Sequence, residues 1–215
     1  MVMFKKTFKI GIILIISGLI IYIRYQAFFL RLPNRIIIEK SDIFLSPANG
    51  KIIAIINNID SPVVKGHRTV VENAMKDTWT WSTMISIMMT PLNVHYQRAP
   101  QQGALIKQTY HTGKFLNAMN NNLNATFENE YNEMLFETPN HIKFKVIQIA
   151  GFMARRIVSF IKIWQHIKQG DVIGLIKMWS QVTIIFDKNI DILVKKWDII
   201  HEWETVIGRK KDINN

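Results

Sequence analysis

Residues 170–186 read GDVIGLIKMWSQVTIIF, a Gly-Asp turn signal followed by a long apolar run. From Ile173 onward the run alternates like a half-buried strand, yet the indole of Trp179 stands directly before Ser180. The pattern continues outward. RIIIEK (35–40), DIFLSPANGKIIAIINNI (42–59), MISIMMTPL (84–92) and HIKFKVIQIAG (141–151) are short β-branched or apolar runs closed by Pro, Asn and Gly. Asn49-Gly50 reads as the tight turn of a hairpin. The Asn-rich stretch 115–137 has no clean period and reads as a long loop with some helix, while 151–163 is open between a helix and a strand pair. The fold class is therefore mainly β (α+β): a single domain over 33–215 with a hairpin-rich C-terminal half, preceded by one N-terminal membrane helix.

That C-terminal half contains an internal repeat. WQHIKQGDVIG (164–174) and WDIIHEWETVIG (197–208) share a Trp, then six positions on Gly170 or Trp203, then an acid and a closing Ile-Gly. Turns of this kind need glycine because the backbone commonly takes a positive φ there, which a Trp tolerates poorly. Trp203 thus stands where its sister copy has Gly170.

The chain of 215 residues is long enough for one well-buried domain, and its net charge of +11 suits an anionic membrane surface better than a neutral one. Basic residues are not interleaved with aromatics, so nucleic acid is not expected as a partner. With no cysteine, disulfides and thiol chemistry are excluded. At the N-terminus an uncharged stretch, 10–23, lies between Lys5, Lys6 and Lys9 and then Arg24 and Arg31. Fourteen helical residues rise only about 21 Å, so Phe8, snorkelling Lys9 and interfacial Tyr25, Phe28 and Phe29 must extend the span. No small-residue cleavage site follows Ile23, so residues 1–32 read as a retained anchor and the protein as attached to the cell membrane.

Few residues stand out as chemical. The six histidines show neither HxH nor HExxH spacing, so no metal site is expected. His95 and Arg98 follow a Pro-Asn turn in MMTPLNVHYQRAPQQG, and Ser180 sits in its strand.

Taken together, SPANGKI (46–52), ISIMMTPLNVHYQRAPQQG (85–103), ENEYNE (128–133), GFMARRIV (151–158) and GDVIGLIKMWSQV (170–182) resemble the short form of the phosphatidylserine decarboxylases, in order and spacing, from about Phe28 to Gly208. The resemblance implies a proenzyme that cuts itself between Trp179 and Ser180, leaving a large chain, 1–179, and a small chain, 180–215. Ser180 would become a pyruvoyl group, the covalent cofactor, whose ketone draws off the electrons left by departing CO₂. It further implies His95 as acid or base, Arg98, Arg155 and Arg156 as partners of the substrate phosphate or carboxylate, and a membrane phospholipid as substrate. Oligomeric state is left open.

Two departures from the family pattern follow. Where relatives read SPADG this chain has Asn49, and an amide has no charge with which to stabilise an imidazolium. Where they read Gly-Ser it has Trp179-Ser180, and Trp164, Trp197 and Trp203 also replace family glycines. A genuine Trp179 together with Asn49 would favour an uncleaved, inactive lipid-binding homologue; a lipoyl-like hairpin carrier ranks last, for want of a tight turn bearing lysine. Four such replacements in a chain that still folds are physically improbable. The better hypothesis is that UGA, a glycine codon in some bacterial lineages, has been translated as Trp. The nucleotide sequence checks it: UGA at codon 179 restores Gly-Ser, and UGG there ends the idea.

Overall fold

The computed structural model describes residues 2–34, 39–57, 82–114, 116, 128–151, 156–177 and 180–211, with the side chains of 2–8 excepted. The chain divides into two compact units, Met1–Pro33 and Asn34–Asn215. The first is a single helix, α1 (Val2–Phe29). Its apolar portion, Lys9–Phe29, has 21 residues and a mean hydropathy of 1.9. At 1.5 Å per residue it rises about 31 Å, the thickness of a hydrocarbon core. The helix runs six residues past Ile23, where the uncharged stretch ends.

The second unit is β throughout its described residues. In chain order its strands are β1 (Ile43–Leu45), β2 (Gly50–Asn57), β3 (Thr83–Met89), β4 (Tyr96–Arg98), β5 (Gly103–His111), β6 (Tyr131–Glu137) and β7 (Lys143–Ile149). There follow β8 (Ile157–Ser159), β9 (His166–Ile167), β10 (Val172–Ile176), β11 (Ser180–Phe186), β12 (Ile190–Ile192), β13 (Ile199–Ile200) and β14 (Val206–Lys210). Among the described residues they form an eight-stranded sheet, β13-β2-β3-β11-β7-β6-β5-β9, and two three-stranded sheets, β1-β14-β12 and β4-β10-β8. The run that opened the sequence reading is thus two strands in different sheets, β10 and β11.

Both orders are symmetric about a pseudo-two-fold axis that exchanges β1–β3 with β4–β6 and β11–β14 with β7–β10. The registers obey it residue by residue. Val182 pairs with Gln148 and Phe186 with Phe144 across the axis, which passes through the Ile184–Val146 pair. The β2–β3 ladder is irregular between Ile52 and Ala54, and β5–β6 repeats the irregularity between Leu105 and Lys107. The loop bonds repeat as well: Trp164 donates its backbone N–H to Leu105 at 2.7 Å, and Trp197 donates to Ile52 at 2.8 Å. The C-terminal sequence repeat is therefore the more visible part of a whole-domain duplication.

One half, β4–β10, is continuous. The other is split, because the continuous half is inserted between β3 and β11. The tight turn 138–142 that joins β6 to β7 has no equivalent there. In its place the chain leaves at Met89 and returns at Ser180.

Asn49-Gly50 is not a hairpin turn. β1 pairs with β14 and β2 with β3 and β13, so 46–49 is a crossover between two sheets. Gly50 is needed for proximity rather than for a left-handed backbone, since a Cβ there would collide with the Met88 carbonyl. The apolar faces meet in a main core, in which Phe44 packs edge-on against Phe186 at 5.2 Å and Phe144 at 5.5 Å, with Ile43, Leu45 and Trp203 in a separate cluster. Edge-to-face packing suits the ring quadrupoles.

The turns of the C-terminal repeat carry left-handed backbone. Trp164, Trp197 and Trp203 have φ of 69°, 79° and 64°, beside 86° at Gly170. Left-handed backbone costs a residue with a Cβ on the order of 1–2 kcal/mol. Trp203 is also buried, and its indole N–H has no hydrogen-bond acceptor among the described residues. Trp164 and Trp197 are exposed, so little packing is lost with their rings. Trp164→Gly and Trp197→Gly should each raise stability by about 1 kcal/mol, additively, as read from denaturant midpoints. A lower midpoint for either would contradict the assignment of these positions to glycine.

Candidate functional site

Ser180 is the first residue of β11 and is fully buried. It pairs with Met89, the last residue of β3, and its hydroxyl donates to the Met89 sulfur at 3.4 Å. The neighbouring Lys51–Met88 pair brings the start of β2 to the same end of the sheet. Asn49, just before β2, is therefore about two strand spacings from Ser180, on the order of 10 Å between backbones.

His95 is buried on the approach to β4. Its Nδ1 lies 2.9 Å from the Asn93 carbonyl. A carbonyl can only accept, so Nδ1 carries the hydrogen and the neutral ring holds its lone pair on Nε2, the form a general base needs. Gln97 links His95 to the serine. Its amide nitrogen donates to the His95 carbonyl at 2.7 Å and lies 4.0 Å from the Met89 sulfur that Ser180 also contacts. Gln97 is held in turn by Gln148 at 2.8 Å, Gln148 by Asn132 at 2.9 Å, and Asn132 by Gln108 at 3.1 Å. Gly174 leaves room for this chain, because a Cβ there would collide with the Gln148 amide. A buried, mutually satisfied polar network fixes its members in one arrangement.

Asn49 is buried and accepts the backbone N–H of Glu202 at 2.7 Å. Glu202 is fully buried. Arg98 is buried too, donating to the Gly170 carbonyl at 2.8 Å, with its guanidinium 4.4 Å from the centre of the Trp203 ring. Arg156 is exposed. Arg155 and Trp179 lie outside the described residues. The structure thus gathers Ser180, Asn49 and His95 around the ends of β2, β3 and β11, while Arg98 braces the crossing behind them. Among the described residues no group of three His, Asp or Glu could hold a metal ion.

Sequence reading missed Met89, Gln97, Gln148 and Glu202. The first two flank recognised blocks but carry no signal of their own. Gln148 had one, as a lone amide in the apolar run VIQIAG, and a polar residue in a buried strand needs a partner.

The model of the phosphatidylserine decarboxylase family matches residues 25–208. The chain belongs to the phosphatidylserine decarboxylase family. It is accordingly an enzyme, a carboxy-lyase. The phosphatidylserine decarboxylase proenzyme of Geotalea uraniireducens is 35% identical over 184 residues, 86% of this chain and 78% of that one. The proenzyme of the same name in Magnetococcus marinus is 35% identical over 183 residues, covering 85% and 77%. That of Carboxydothermus hydrogenoformans is 34% identical over 197, covering 90% and 84%. Membership covers all of the described β unit up to Gly208, including both halves of the duplication and the Ser180 strand.

Arg98 and Arg156 are separable by experiment. Lysine cannot both stack and reach a carbonyl as a planar fork does, so Arg98→Lys should cost about 2 kcal/mol of stability. Arg156→Ala should stay within about 0.5 kcal/mol of the parent. Thermal melts of the two variants check this directly.

Proposed function

We propose that this chain is a self-cleaving proenzyme which, once cut between residues 179 and 180, decarboxylates phosphatidylserine to phosphatidylethanolamine and CO₂ at the cell membrane. The observation that carries the reading is the position of Ser180 at the opened hairpin. Its two-fold counterpart is Ile142, in the tight turn where His141 has φ 59° and donates its N–H to Thr138. The split half has no such turn: there Ser180 heads a central strand of the sheet, and the chain reaches it from the other half. β11 is meanwhile held on both edges by β3 and β7, so the cut leaves the sheet intact.

The chemistry needs a base and a carbonyl. His95 takes the Ser180 proton while Oγ bonds to the carbonyl carbon of residue 179; the C–N bond breaks as the nitrogen gains a proton, leaving an ester. Removal of the Cα proton of residue 180 then breaks its Cβ–O bond, freeing the carboxyl terminus of residue 179. Water converts the dehydroalanine to a ketone with loss of ammonia. The residues fit the group so formed: at the head of β11 it would be buried beside Met89, which Gln97 joins to the His95 backbone. The pyruvoyl ketone supplies the electron sink for loss of CO₂. Arg156, with Arg155 before it, supplies positive charge for the lipid phosphate. Helix α1 anchors the enzyme to the bilayer that holds its substrate, and the net positive charge favours an anionic surface.

The test is an intact mass of the full-length protein, with and without Ser180→Ala. The parent should yield two chains and release CO₂ from phosphatidylserine vesicles; the variant should remain one chain, with activity at background. A single uncut chain that still decarboxylates the lipid, or an active Ser180→Ala protein, would refute the reading.

A further inference from the structure

The pseudo-two-fold axis sets each residue of the site beside a counterpart in the same scaffold. Asn49 corresponds to Gln102, His95 to Asp42, Arg98 to Leu45 and Glu202 to Gln169. Gln169 is buried, and its amide is fully used. Its oxygen accepts the Lys40 N–H at 3.0 Å, and its nitrogen donates to the carbonyls of Ile43 at 3.0 Å and Pro100 at 3.1 Å. A carboxylate could repeat only the first of these bonds. The scaffold at this position is therefore satisfied by a neutral amide. Glu202 places a fully buried carboxyl group there instead. Burying an ion costs several kcal/mol unless its surroundings compensate, so a buried carboxyl at a site is a candidate for function.

Two further observations place it. Gln169 lies along residues 40–43, which the axis carries onto 93–96, the stretch that contains His95. Glu202 is moreover bonded through its N–H to Asn49 at 2.7 Å. Among the described residues the only buried carboxyl groups are those of Glu202 and Asp187. Asp187 follows the far end of β11, where it accepts the Asn189 N–H at 3.1 Å, roughly 20 Å along the strand from Ser180. Glu202 is at the Ser180 end.

We propose that Glu202 is the anionic positioning residue of the self-cleavage site, supplying the negative charge that stabilises His95 as an imidazolium when it takes the Ser180 proton, which the Asn49 amide cannot do. Glu202 stays ionised throughout; the proton passes from Ser180 Oγ to His95. The inference rests on the self-cleavage reading above.

The experiment has two readouts. In full-length Ser180→Ala protein, which cannot cut itself, the His95 titration is followed by NMR. Adding Glu202→Gln should lower its midpoint by about one pH unit. In protein with Ser180 intact, Glu202→Gln should slow the appearance of two chains by about tenfold, and Asn49→Asp added to it should restore the rate. Gln169 occupies the counterpart position in the other half, and melting curves verify folding of the variant. An unmoved His95 titration, or no rescue by Asn49→Asp, overturns the proposal. Glu202 acting merely as a counter-ion to Arg98 would give that second result, with a lowered melting temperature. A parent protein that never cuts itself would sink the self-cleavage reading alone, and the titration would still judge Glu202.

Discussion

Two short crossings hold this molecule together. Residues 45–47 and 98–100 run past one another near the pseudo-two-fold axis, with Leu45 donating its N–H to the Pro100 carbonyl at 2.9 Å and Arg98 donating to Pro47 at 3.0 Å. The constraint is reciprocal, so neither half can shift without the other. Each crossing is then fastened by the opposite end of its own half: Trp203 donates to Ser46 at 2.9 Å, and Gly170 to Ala99 at 2.9 Å. Prolines at 47 and 100 stiffen the strand ends, and glycines at 50 and 103 let the next strands approach. A Cβ at Gly103 would lie 2.6 Å from the Glu137 carbonyl oxygen. Backbone contacts this close leave no slack, and the site inherits the rigidity, because Asn49 and His95 flank the two crossings.

Symmetry also explains why the site is lopsided. A duplicated scaffold presents two equivalent positions for every residue, and in this chain the residues proposed for the chemistry lie on one side. His95, Asn49, Glu202 and Arg98 face Asp42, Gln102, Gln169 and Leu45. Only the split half has an opened hairpin, so only there is a central strand entered by chain arriving from the other half.

The sequence carried the β class, most of the strands and the left-handed turns, because each rests on a local rule. Alternation marks the strands, and the sister copy of Trp203 is a glycine in a turn that requires one. It misled at Asn49-Gly50, where the same pair of residue types serves a crossover, since a glycine required for close approach reads like one required for a turn. The duplication of the N-terminal strands was invisible. SPANGKI and APQQGAL share little beyond a Pro and a Gly at fixed spacing, because each position answers to a different packing environment. The Gln97–Gln148 network was hidden for a related reason: a strand residue's partner lies across the sheet, more than fifty positions away in the chain. Glu202 gave no signal because a glutamate in a polar turn is ordinarily solvated, and only the burial of 202 and 203 beside the first crossing makes it unusual.

The insertion of one half within a hairpin of the other has a consequence for timing. Residues 96–176 form a complete half as they are synthesised, whereas β1–β3 must wait for partners encoded beyond Ser180. β11 is the last long strand to be laid down, and it fills the gap between β3 and β7 at the centre of the eight-stranded sheet. Before it docks, Ser180 has no Met89 beside it, and Glu202 has no Asn49. If the chain cuts itself as proposed, one that stalls or misassembles lacks the environment for that step, and self-cleavage would act as a checkpoint on the completion of the fold.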